Sequence, residues 1–101
     1  MDDRTKLWLV VYDHARIDVS VCGTEDMAWQ TIGEIIMENI DNGGLADITG
    51  IAELRGFIST ELKRHPDRSE INWEEIAKLY MKSVDWESFE VRETQLIGSA
   101  G

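Results

Sequence analysis

Leu7-Trp8-Leu9-Val10-Val11-Tyr12 is an unbroken run of aliphatic, β-branched and aromatic residues. It predicts a strand covered on both faces. Asp13-His14-Ala15 is a short polar break, after which Ile17, Val19 and Val21 alternate with Asp18, Ser20 and Cys22. That alternation predicts a second strand whose dry face is Ile17, Val19 and Val21. Two strands this close form an antiparallel hairpin, which Cys22-Gly23-Thr24 ends. Trp8 falls on the opposite side of the first strand from Leu7, Leu9 and Val11.

Three helices follow. Thr24 is a good N-cap, with Glu25 and Asp26 in the first turn where the helix dipole favours anions. The first helix is expected from Glu25 to about Asp41, burying Trp29, Ile32, Ile36 and Ile40, with Gly33 allowing close packing. Asn42-Gly43-Gly44 supplies its stop. The second is expected to start near Thr49 or Gly50, to point Ile51, Leu54, Ile58 and Leu62 inward, and to end before Pro66. Asn72 and Glu75 read as a capping box, flanked by Ile71 and Ile76 as a hydrophobic staple. They open a third helix, roughly Trp73 to Ser83, with Ile76, Leu79 and Tyr80 facing the core.

From Trp86 to about Gln95, Phe89 and Val91 alternate with Ser88, Glu90 and Arg92, the pattern of a half-exposed strand. Pairing it with the first strand puts the opening apolar run at the centre of the sheet. The fold class is therefore α+β: a small three-stranded antiparallel sheet, with three helices packed mainly on one face, in the order ββαααβ. Residues 1–97 are expected to form one domain, with Gly98-Ser99-Ala100-Gly101 a flexible tail or cloning remnant.

At 101 residues the chain is long enough for one hydrophobic core without disulfides or metal. No apolar run approaches the ~20 residues of a membrane-spanning helix, and Met1-Asp2-Asp3-Arg4 does not open a secretory leader. A lone cysteine, Cys22, points to a reducing cytoplasm. The formal net charge of −10 argues against nucleic acid or an anionic membrane as a direct partner, and favours a basic protein. Between Arg16 and Arg55 there is no Lys or Arg, whereas eight Asp and Glu fall in that interval. The negative field is concentrated in the first half.

Motifs for catalysis are absent: there is no P-loop, Gly-x-Gly-x-x-Gly, Gly-x-Ser-x-Gly, His-Glu-x-x-His or Cys-x-x-Cys. Asp13 and His14 with nearby Asp18 form the best candidate for acid–base or metal chemistry. A metal site usually needs about three or four protein ligands, so a turn stabilised by Asp13 with His14 in solvent is the favoured reading. His65 before Pro66 caps a helix end. Cys22 alternates to the polar face of its strand without a basic neighbour, the setting of an inert thiol. No enzyme activity, cofactor or metal is expected.

The outer face of the first helix is the strongest functional feature. Glu34, Glu38 and Asp41 are spaced i, i+4, i+7, opposite the apolar stripe, and no Lys or Arg on that helix neutralises them. With Glu25 and Asp26 they are the expected partner-binding residues. Like charges at i, i+4 cost a few tenths of a kcal/mol, so stability does not require this arrangement. Carboxylates ~6 Å apart resemble phosphate spacing in sign and scale, and suit a basic groove on a nucleic-acid-binding protein. The competing reading is a solvated face that keeps a small protein soluble. Four tryptophans are a second excess, and one or two exposed ones would suit an interface.

Leu9-Val10-Val11-Tyr12-Asp13-His14, followed by Asp18-Val19 and then Thr24-Glu25, resembles the opening of short uncharacterised proteins of bacteria, phages and mobile elements. The likeness covers about the first 40 residues. No activity is established for that group, so nothing catalytic is implied. What the resemblance implies is a genomic setting rich in small inhibitors of the anti-CRISPR and anti-restriction type and in immunity proteins. The function expected is a small acidic binding protein, an inhibitor docking its first helix on a basic partner. An immunity protein or antitoxin, and a homodimer pairing through a bare sheet face, are the alternatives.

Overall fold

The strand expected from Leu7 to Tyr12 extends in both directions, to β1 (Arg4–Asp13). It pairs antiparallel with β2 (Ile17–Cys22) on one side and β3 (Ser88–Ile97) on the other, giving the sheet order β2-β1-β3. Between β2 and β3 come α1 (Glu25–Asn42), α2 (Ile51–Arg64), a 3-10 turn at Arg68–Glu70 and α3 (Trp73–Ser83). The computed structural model describes residues 4–42, 44–45 and 47–97. The expected tail at 98–101 and Gly43 of the expected helix stop lie outside the described residues. Gly44 has φ 71°, the left-handed backbone that suits the chain just past a helix.

The register decides which residues share a face, because directly opposed residues point the same way. Trp8 is opposite Cys22 and Glu93, Val10 opposite Ser20 and Val91, and Tyr12 opposite Asp18 and Phe89. This is the face the helices cover, and Val10, Cys22 and Phe89 are buried on it. The other face carries Leu7, Leu9 and Val11 beside Val21 and Val19, with Ile17 opposite Asp13.

The dry face expected for β2 is therefore reversed. Ile17, Val19 and Val21 are 65%, 58% and 60% exposed, whereas Cys22, assigned to the polar side, is buried with its Sγ 3.6 Å from Thr31 Oγ1. Alternation tells which residues group together. Which group faces inward depends on where α1 lands, and α1 runs back across the Trp8–Val10–Tyr12 side.

The core lies between that side and the helices. Ile32, Ile36 and Ile40 of α1 are buried, as are Ile51, Leu54 and Ile58 of α2, and Trp73, Ile76 and Tyr80 of α3. Each large apolar side chain removed from water contributes roughly 1.5–3 kcal/mol. One inward assignment is corrected, Leu79 being 39% exposed at the α2–α3 surface, while Trp29 and Leu62 are partly buried and pack against the core's edge. The capping of α3 follows the sequence, Asn72 Oδ1 accepting from the Glu75 N–H at 3.1 Å, with Ile71 and Ile76 buried around it. Trp73 is buried and donates its indole N–H to the Arg68 carbonyl at 2.8 Å, whereas Trp86 is 60% exposed.

Candidate functional site

α1 begins where Thr24 Oγ1 accepts from the Met27 N–H at 3.1 Å, the N-cap bond the sequence calls for. Its buried residues are Ala28, Ile32, Gly33, Ile36 and Ile40. At ~100° per residue, Glu34 and Glu38 point directly away from that stripe. Both are exposed, and among the described residues neither is in an ion pair or side-chain hydrogen bond.

The five predicted partner-binding residues do not make one surface. Asp41 shares the stripe with Glu34 and Glu38, but Arg55 of α2 reaches across and places Nη2 3.0 Å from its Oδ1. That cation has a local task. Asp41 sits in the last turn of α1, where no basic residue offsets the negative end of the helix dipole. Glu25 and Asp26 lie roughly 13 Å back along the axis from Glu34, and roughly 23 Å from Asp41. They line a cavity of about 160 Å³ with Trp29, Asn72, Trp73 and Glu74, on the flank against α3. The carboxylates that remain available together are Glu34 and Glu38, with Asp41 at their end.

The Asp13–His14–Asp18 group also separates. Asp18 lies opposite Tyr12 on the helix side, whereas Asp13 lies opposite Ile17 on the outer side. His14 joins only one of them, its Nε2 standing 2.7 Å from Asp18 Oδ2. This hydrogen bond, aided by Arg16 with Nε 3.4 Å away, holds the Asp18 carboxyl below the usual carboxylate range. The imidazole is stacked on Tyr12, ring centroids 4.1 Å apart. His14 is thus a partly buried member of a cluster rather than the solvated turn residue expected. Among the described residues no three His, Cys, Asp or Glu are grouped to hold a metal ion.

Tyr12 leads into a polar network that the sequence does not announce. Its hydroxyl donates to Glu87 Oε1 at 2.5 Å, and the Tyr80 hydroxyl donates to the same oxygen at 2.8 Å. Asn39 Nδ2 donates to the Tyr12 oxygen at 2.8 Å and to the Tyr80 oxygen at 3.2 Å. On its other side the Tyr12 ring stacks on Phe89, centroids 4.5 Å apart. Burial, followed by the bond to the Glu87 carboxylate, pushes the Tyr12 phenol up to about 12; burial foremost pushes Tyr80 up as well. Both phenols therefore stay protonated and act as donors. One carboxylate fastens β1, α1, α3 and the chain leading into β3 at one end of the sheet. Such a cluster holds elements in place, with its hydroxyls and amide used inside it.

A groove of about 770 Å³ lies between α2 and α3, with Phe57 and Leu79 among its walls and Lys82 and Glu53 on its rim. No helix among the described residues is long and apolar enough to cross a membrane. No protein-family model matches the chain, and no curated protein or solved structure matches it.

Proposed function

We propose that this chain is a non-enzymatic binding domain that presents the outward face of α1 to a basic surface on a protein partner. In this reading it is an inhibitor of nucleic-acid-handling machinery, of the anti-CRISPR or anti-restriction type carried by phages and mobile elements. The observation that carries the proposal is the exposure of Glu34 and Glu38 on a helix fixed by its opposite face, without a cation partner among the described residues. Two carboxylates ~6 Å apart on a rigid helix match the sign and scale of a phosphate backbone. A groove evolved to grip phosphates accepts them, while the net charge of −10 keeps nucleic acid itself away. Asp41 extends the row on releasing Arg55, an exchange of one exposed ion pair for another that costs little.

The test compares wild type with an E34K/E38K/D41K variant in affinity capture from host lysate at low and moderate salt. The expected outcome is one basic nucleic-acid-handling protein held by wild type at low salt, weakened as salt rises, and not held by the variant. Equal capture by the variant would sink the proposal. Capture of a single toxin instead would make the chain an immunity protein using the same face.

A further inference from the structure

The sheet face turned away from the helices is aliphatic across two strands, with Leu7, Leu9 and Val11 of β1 beside Ile17, Val19 and Val21 of β2. The three β2 residues are each more than half exposed. β3 completes the face with charge. Glu90 stands level with Val11, and Arg92 stands level with Leu9. Their side chains form an ion pair, Arg92 Nε to Glu90 Oε1 at 2.7 Å. Across the described part of this face, only Asp13, at its margin, is a charge without an opposite beside it. This is where a chain of net charge −10 presents almost none.

We infer that two copies of this chain pair through this face, about a two-fold axis crossing the strands between the Val11–Glu90 and Leu9–Arg92 levels. About that axis Val11 meets the partner's Leu9, Val19 meets the partner's Val21, and Glu90 meets the partner's Arg92. At the two levels nearest the axis the pattern is its own complement, aliphatics edged by one acid and one base equidistant from it, whereas at the margin Asp13 falls level with the partner's Leu7. An isologous interface requires such self-complementarity, since each residue must suit the one related to it by symmetry. Strand spacings of ~4.8 Å and ~3.4 Å per residue give a footprint of roughly 400 Å² per copy. That is the scale of reversible, concentration-dependent association rather than of an obligate dimer. The acidic face of α1 lies on the far side of each copy, so the pair forms without bringing those carboxylates together.

Sedimentation velocity on the full chain across a micromolar concentration series tests this. Wild type is expected to move from monomer to dimer. Val19→Lys, at an exposed position where little packing is lost, is expected to raise the dissociation constant at least tenfold while leaving the circular dichroism spectrum unchanged. E90R sets Arg against Arg across the axis and is expected to weaken the dimer, and E90R/R92E restores it. A wild type that stays monomeric throughout leaves the face to some other occupant and overturns the inference. A dimer that V19K does not weaken, or that E34K/E38K abolishes, places the contact elsewhere and overturns it too.

Discussion

Trp73 of α3 lies flat against Gly33 of α1, so close that a Cβ on residue 33 would overlap the indole ring. The ring cannot move aside easily, being buried and tied by its N–H to the Arg68 carbonyl. Ala favours a helix interior by ~1 kcal/mol over Gly, but overpacking a rigid contact costs about 1–3 kcal/mol or more. Gly33→Ala is therefore expected to destabilise the fold by about 2 kcal/mol in urea unfolding. Trp73→Leu in the same chain should relieve part of that loss, because contacting sites couple.

The chain has two tyrosines, and both donate to Glu87. A phenol whose folded pKa is raised to about 12 from 10.0 contributes stability that is fully present below pH 10 and lost as pH rises through 12. Tyrosinate absorbance near 295 nm is thus expected to be small at pH 10.5. It should then appear together with loss of the near-ultraviolet circular dichroism signal. A free titration at pH 10 with the fold intact would contradict the network.

Glu87→Ala leaves the two phenol hydroxyls without their acceptor in a part-buried cluster. The expected cost is about 1–3 kcal/mol. Glu87→Gln keeps an acceptor oxygen and should cost less, by the same denaturation measurement.

His14→Ala removes the bond that lowers the Asp18 carboxyl. A depressed carboxylate contributes stability above its unfolded pKa and loses it as pH falls. The difference between wild type and the variant is therefore expected at neutral pH and to close below about pH 4. Thermal melts at pH 7 and pH 3 measure it. Adding Zn²⁺ or Mn²⁺ is expected to move neither melt.

Glu38→Lys separates solubility from recognition. It sets Lys four residues after Glu34, which replaces a like-charge pair by a favourable one worth about 0.3–0.5 kcal/mol. The variant is expected to be slightly more stable than wild type in urea and weaker in capturing a basic partner. Unchanged capture would assign the acidic stripe to solvation.

Element types and order were legible because each carries a local signal: the apolar run of β1, the Thr24 cap, the Asn72–Glu75 box, the Pro66 stop. The inner side of β2 was not, because alternation is symmetric and only the landing site of α1 breaks the tie. Glu34 and Glu38 were legible as an outward pair from helical spacing alone. Arg55 was not, since its reach to Asp41 depends on how α2 lies against α1. The Tyr12–Asn39–Tyr80–Glu87 cluster left no trace in any window of sequence. Its members come from four parts of the chain, the outer two 75 residues apart.

The central strand of the sheet is β1, and one of its two neighbours is β3, the last element described. During synthesis the hairpin and α1 can form as soon as they leave the ribosome. The nascent chain nevertheless keeps one flank of β1 unpaired, and the Phe89 and Val91 side of the core empty, until β3 emerges. Pairing β3 with β1 closes a loop across most of the chain, and its entropy must be lost before the contact is gained. A ribosome stalled before β3 would therefore display an open strand edge to every neighbouring chain, and the protein's exposure to misassembly is concentrated in that interval.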